Sequence, residues 1–262
     1  MRKVLVIRAP GTNCDLETLR AVKTASLPVF EVHTRKLTNG DVDLFDYYGL
    51  IIPGGFSYGD SVRAGAIWAR KLGSKVLDTL TKFSSEGRPI LGICNGFQVL
   101  VELGLLPGWD ASGPKIALAP NVSGKFECRW VHLVVSGEND VFFRYYPLHS
   151  ILRMPVAHSE GRFFVSDDTL KCLSDGGQIL LRYALPDGHV ASQRYPFNPN
   201  GSMFDVAGVC NTFGNVLGLM PHPERAVYAW QYPESHVRMS KGFGDGYWIF
   251  KSMCDYILEE LV

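Results

Sequence analysis

The stretch Ile90-Leu91-Gly92-Ile93-Cys94-Asn95-Gly96-Phe97-Gln98 restricts the possible folds more than any other part of this chain. An apolar run enters Gly-x-Cys-x-Gly and leaves as a predicted helix. This is the nucleophile-elbow pattern, with a thiol in place of the hydroxyl. A residue on so sharp a turn carries backbone strain, and a side chain on either flanking glycine would collide with adjacent backbone. The pattern needs a strand whose end feeds straight into a helix, the local unit of an α/β sheet. It also sets the Cys94 sulfur at a helix N-terminus, where free N–H groups and the helix dipole favour the reactive thiolate. A core cysteine beside a structural glycine turn is the competing explanation.

Two further segments bear on that choice. In Pro221-His222-Pro223-Glu224 the prolines disfavour helix, so the segment is expected to be extended, with His222 and Glu224 on one side. Glu224 would then hold the imidazole in one tautomer while the other ring nitrogen faces a thiol, the orienter–base–nucleophile arrangement of a triad. A rigid surface turn is the alternative. The apolar run Leu50-Ile51-Ile52-Pro53 ends in Gly54-Gly55-Phe56-Ser57-Tyr58-Gly59-Asp60. Acyl chemistry on a thiol needs donors aimed at a developing oxyanion, and the Gly55 and Asn95 N–H groups are the natural pair. An ordinary strand-to-loop turn would also use Gly-Gly.

The rest of the chain alternates strands and helices. Strands are predicted over Val4–Ala9, Val29–His33, Leu50–Pro53 and Pro89–Cys94. Helices are predicted over Asp15–Ser26, with Leu16 and Leu19 on its apolar face, about Gly65 to Phe83, and Asn95–Leu103. This order implies one doubly wound, largely parallel sheet with helices on both faces and a site at the strands' C-terminal ends. From Lys115 to Tyr195, short β-rich runs between Gly, Pro and Asp turns predict antiparallel ribbons. Val206–Asn211 and Val216–Met220 read as a hairpin delivering His222, and a helix from about Gly246 to Glu260 closes the chain, apolar at Ile249, Met253, Ile257 and Leu261. No long linker interrupts these elements, so residues 1–262 are expected to form one domain with the β-rich stretch inserted.

Together these residues resemble the class I, triad-type glutamine amidotransferases, and within them the branch serving de novo purine synthesis. The resemblance covers nearly the whole chain. It includes Pro10-Gly11-Thr12-Asn13-Cys14-Asp15, Pro155 to Phe163, Asn198-Pro199-Asn200-Gly201-Ser202 and Met220-Pro221-His222-Pro223-Glu224-Arg225. It implies the flavodoxin-like amidotransferase fold and hydrolysis of L-glutamine through Cys94, His222 and Glu224, with Gly55 and Asn95 as oxyanion donors. Gln98 would contact the substrate's amino-acid end, and the loop at His158, Ser159 and Glu160 its α-groups. Ser159 stands where the family often has glycine. The resemblance further implies no cofactor in this chain, with ATP and Mg in a large synthetase partner, and a possible small bridging subunit. Cys14 lies in a family motif but has no candidate base near it in sequence, which suggests a structural role.

Composition agrees with this picture. Lys+Arg and Asp+Glu both number 26 in 262 residues, leaving no electrostatic footprint for nucleic acid or an acidic membrane surface. No apolar run reaches the length of a membrane span, and Met1-Arg2-Lys3-Val4 begins a strand rather than a signal peptide, which predicts a cytoplasmic protein. The six cysteines form no C-x-x-C pair and are expected to be thiols, with Cys128, Cys172, Cys210 and Cys254 in packing roles. The seven histidines, His236 among them, give no i, i+4 metal clamp, so no metal is expected. A stand-alone thiol hydrolase, a glutaminase of another amidotransferase system and a non-catalytic scaffold remain alternatives at this level.

Overall fold

Apolar runs without polar alternation must be covered on both faces, and four of them form the centre of one sheet. The computed structural model describes residues 1–109, 114–234 and 242–261, so His236 lies outside the described residues. The first half comprises β1 (Val4–Arg8), α1 (Asp15–Thr24), β2 (Val29–His33), α2 (Thr34–Asn39), β3 (Gly49–Ile52), α3 (Ala66–Ser85), β4 (Ile90–Ile93) and α4 (Asn95–Glu102). The second comprises β5 (Ala117–Pro120), β6 (Glu127–Val135), β7 (Ile151–His158), β8 (Glu160–Phe164), α5 (Asp167–Asp175), β9 (Ile179–Ala184), β10 (Val206–Cys210), β11 (Val216–Leu219) and α6 (Asp245–Glu259).

Nine strands form one sheet in the order β2-β1-β3-β4-β11-β10-β9-β6-β7, and β5 pairs with β8 apart from it. From β2 to β11 every pairing is parallel, and from β11 to β7 every pairing is antiparallel. The expected parallel α/β sheet is therefore present, and the β-rich stretch extends it. The burial pattern follows the pairing: β3, β4 and β11 are buried at every position, whereas β7 alternates. The chain reaches β2 and β3 on opposite sides of β1, which opens a crevice at the strands' C-terminal ends.

Helices flank both faces, α1 beside α6 and α3 beside α4. Trp68 and Phe83 of α3, Phe97 of α4 and Phe250 of α6 are among the largest fully buried side chains. Ile249, Met253 and Ile257 are buried as the apolar stripe of the last helix predicts. Three details differ from the sequence reading. In α1, Leu16 is exposed and the buried face is instead Thr18, Ala21 and Val22, because small side chains let the helix lie close to its neighbours. Two short helices, α2 and α5, have too few turns to show a periodicity; α5 is announced by the Ser166 cap, which accepts from Thr169 N–H. Helix α3 is interrupted at Gly73, whose φ of 68° lies outside helical space.

Candidate active site

Four adjacent parallel strands each release a site segment at the C-terminal end. The β1 loop carries Cys14, β3 runs into Gly54-Gly55, β4 into Cys94 and β11 into His222. Cys94 sits immediately before α4 with φ 50° and ψ −104°, a strained conformation for a residue with a Cβ. Its N–H donates to Leu219 O at 2.8 Å, tying the elbow to β11. A Cβ on Gly96 would stand 1.8 Å from Ile52 O, and one on Gly92 would stand 2.8 Å from the Gly96 carbonyl. The glycines let α4 start directly against β3. Gly96→Ala is accordingly expected to destabilise the fold by about 3 kcal/mol or more, since the clash is with backbone that cannot rotate away. Gly104→Ala meets nothing within 4 Å at φ 74°. It should lose only the about 1–2 kcal/mol of a left-handed residue, which denaturant midpoints at equal m would distinguish.

His222 Nδ1 lies 2.6 Å from Glu224 Oε1, and both residues are 1% exposed. The path to that pair differs from the extended segment expected. His222 itself is extended, but Pro223–Arg225 forms a 3-10 turn closed by Arg225 N–H donating to His222 O. Proline at the first position of such a turn has a suitable φ and lacks only an N–H that would be unpaired there. Burial disfavours charge on the ring, but Glu224, then the Cys94 and Cys14 sulfurs, outweigh it and raise the His222 pKa well above its ordinary value. The outer nitrogen, Nε2, has no hydrogen-bond partner. Cys94 is near enough to stabilise the imidazolium, although no hydrogen bond closes between them, and its Sγ instead contacts Ala157 O at 3.7 Å.

Gly54 makes this crowding possible. A Cβ there would stand 2.8 Å from His222 Cε1, 3.3 Å from Cys14 Sγ and 3.4 Å from Cys94 Cβ. The sequence draws attention to Gly55, yet its neighbour is the residue against which sulfur and imidazole pack. Gly55 is held by a bridge to Thr12, and among the described residues neither its N–H nor that of Asn95 donates a hydrogen bond. The Asn95 N–H is one of the unpaired donors of the first turn of α4.

Residues 1–257 match the family of CobB/CobQ-like glutamine amidotransferase domains. The chain belongs to that family. Relatives include the "Phosphoribosylformylglycinamidine synthase subunit PurQ" of Archaeoglobus fulgidus, 42% identical over 97% of both chains. The protein of the same description from Pyrococcus furiosus is 42% identical over 98% of this chain and 99% of its own. A chain in the PurLQS structure of Thermotoga maritima superposes with a TM-score of 0.75 at 36% identity, covering 98% of this chain and 99% of that one.

Around the amidotransferase site, Gln98 and His158 occupy braced positions. Gln98 is buried, with Nε2 donating to Glu160 O at 2.7 Å and Oε1 accepting from Asn95 Nδ2 at 2.9 Å. Both ends of its carboxamide are engaged, so it ties α4 to the turn before β8. His158 places Nδ1 3.1 Å from Asn121 Oδ1, while Asn121 Nδ2 donates to Lys125 O and His158 O. With Oδ1 as the acceptor, Nδ1 carries the ring proton. Burial, then the charge on His222, lowers the His158 pKa to about 3, keeping the ring neutral. The exposed Ser159 contributes its carbonyl to Asn121 N–H at 2.8 Å.

Cys14, distant from any base in sequence, lies beside one in space. Its Sγ is 4.0 Å from His222 Nδ1 and accepts from Arg225 Nη2 at 3.1 Å, while Arg225 Nε bonds Glu17. Arg225 is therefore pinned rather than solvated. Burial pushes the Cys14 thiol up to about 11. Cys14, His222 and Glu224 bring possible ligand atoms within 4.8 Å of one another. The guanidinium already supplies a fixed positive charge there, and His222 Nδ1 is engaged by Glu224, which disfavours a metal ion. Cys210 and Cys254 are buried, but Cys128 and Cys172 are exposed. Cys128 falls on an outward position of β6 and Cys172 on the outer face of α5, positions that apolar neighbours in sequence do not reveal. The largest groove lies at the far end of α4, beside Gly104, Trp109 and Phe213, and includes none of the residues above.

Proposed function

We propose that this chain is the glutaminase subunit of phosphoribosylformylglycinamidine synthase, hydrolysing L-glutamine and supplying ammonia to an ATP-dependent synthetase. The product of the synthetase is formylglycinamidine ribonucleotide, made from formylglycinamide ribonucleotide. Full-length similarity to PurQ subunits carries the reading, and the juxtaposition of Cys94, His222 and Glu224 supplies its chemistry. The PurLQS assembly of the Thermotoga relative supports a large synthetase partner and a small third subunit. ATP and Mg belong to that partner in this reading, and the glutaminase chain uses no cofactor. Among the described residues no helix is long and apolar enough to cross a membrane, in keeping with work in the cytoplasm.

In the proposed reaction the Cys94 sulfur attacks the side-chain carboxamide carbon of glutamine. Gly55 and Asn95 N–H hold the oxyanion, and the His222 imidazolium passes its proton to the departing nitrogen, releasing ammonia and leaving a glutamyl thioester. Neutral His222 then takes a proton from water, which attacks the thioester and frees glutamate and the thiolate. The raised His222 pKa supports the first step, because the acid is in place before attack.

The orienting role of Glu224 gives a direct test. Glu224→Gln should fold normally but lower glutamine turnover by about 10²- to 10⁴-fold, less than His222→Ala. A carboxamide can present its N–H to Nδ1 and so stabilise the wrong tautomer. Turnover near wild type in steady-state glutaminase assays would reduce Glu224 to a packing residue.

A further inference from the structure

The loop between β3 and α3 is bent by a run of left-handed residues, with positive φ at Tyr58, Gly59, Asp60 and Val62. Its bend carries Asp60 to the residue that follows the candidate nucleophile. Asn95 Nδ2 lies 3.3 Å from Asp60 Oδ1, and Asn95 Oδ1 accepts from Ser57 N–H at 3.4 Å. Glu160 joins from β8: its Oε2 accepts from Ala64 N–H at 3.1 Å, and its carbonyl accepts from Gln98. Two carboxylates from separate segments thus converge beside Asn95, both partly open to solvent.

Neither carboxylate forms an ion pair with a cation among the described residues. The nearby Arg63 is turned to Glu102, which it grips with two bonds of 2.7 and 2.5 Å. Burial, and then the charge of Glu160, raise the Asp60 pKa to about 6, the mark of a carboxylate that lacks a positive partner. A separate observation concerns Ser57, held on the same Asn95 carboxamide. Its Oγ is buried, the residue being 2% exposed, and has no hydrogen-bond partner. A buried hydroxyl without a partner marks a place where a polar group is expected to bind.

We propose that Asp60, Glu160 and the Ser57 hydroxyl form the subsite for the α-ammonium group of glutamine, selecting an α-amino acid amide over a simple amide. This rests on the glutaminase reading and names the groups that fix its substrate. An ammonium group has three N–H donors and no acceptor, and two carboxylates with a hydroxyl offer three acceptors. The position suits the substrate: its carboxamide lies at Cys94 while its amino-acid end lies one residue along, where Gln98 braces the wall rather than contacting the ligand. A bound ammonium would supply the positive charge that Asp60 lacks.

The test compares glutamine with glutaramate, its analogue without the α-amino group, using the complex of this chain with its synthetase. Wild type should favour glutamine in kcat/KM by about 10- to 100-fold. Asp60→Asn should raise KM for glutamine by a similar factor, with a far smaller change in kcat, and leave glutaramate nearly unaffected, so that the preference collapses. Glu160→Gln should reduce the preference in the same direction. A merely structural role would impair both substrates alike. Wild type gives an independent arm. Asp60 faces Glu160, with Arg63 and Glu102 behind, and its protonation below about pH 6 should raise KM for glutamine relative to glutaramate. Titration of His222 affects both substrates and cancels in the ratio. An unchanged preference in the variants, or in wild type across that pH range, would overturn the subsite. A wild-type complex that hydrolyses neither substrate would overturn the glutaminase reading, and the subsite with it.

Discussion

Cys94→Ala is expected to abolish glutamine-dependent synthesis by the complex while ammonia-dependent synthesis continues. The sulfur is the only group at this site placed to form the thioester: it follows β4 directly, and His222 and Gly54 pack around it. The nearby Cys14 cannot replace it, because its thiol is held by Arg225 on the Nδ1 side of the ring and shifted up to about 11 by burial. Loss of a nucleophile lowers turnover by about 10⁴-fold or more. Alanine should also relieve little of the elbow strain, since any Cβ at φ 50° keeps it. The measurements are glutamate release and product formation with each nitrogen source. Substantial glutamate release by Cys94→Ala would contradict the triad, and parallel loss of the ammonia-dependent reaction would point to failed assembly instead.

Glutamine turnover by the isolated chain is expected to rise by about 10²- to 10³-fold when the synthetase and its ligands are added, the value of one well-placed oxyanion donor. Uncoupled hydrolysis would consume glutamine without product, so control of the donor is a reasonable point for partner action. Gly55 is the mobile candidate. Its φ of 137° is accessible only to glycine, and its N–H has no bond within the chain to hold it. The exposed Phe56 beside it stacks on Phe126 from the turn before β6, giving a partner a handle on this peptide. Steady-state assays of the purified chain with and without the synthetase decide the matter. A solitary chain that already runs at the rate of the complex would favour an independent hydrolase.

The parts of the site that are legible in sequence are those where chemistry and backbone geometry coincide within a few residues. Gly92, Cys94 and Gly96 identify an elbow because only glycine fits beside Ile52 and its own turn. His222 and Glu224 identify each other as partners by spacing, although a 3-10 turn rather than strand alternation joins them. The strands buried on both faces are readable as apolar runs, whereas α2 and α5 are too short for a period to emerge. What sequence hides is proximity without local signal. Cys14 and Arg225 are separated by most of the chain, yet touch. Asp60 ends a motif whose glycines attract attention first, and its contact with Asn95 depends on left-handed residues whose φ values no residue pattern announces, Val62 among them.

The order of strands in the sheet differs from their order of synthesis, and this has a consequence for when the enzyme first becomes able to react. Strand β11 is the last made, yet it lies between β4 and β10 and carries His222 to the elbow. A growing chain that has completed β1 to β4 presents Cys94 with its turn but without base, orienter or the Leu219 carbonyl that fixes its N–H. The thiol therefore has no triad through most of translation. Closure of the sheet and arming of the nucleophile are a single late event, set by a contact between distant residues that must wait for the chain's final quarter.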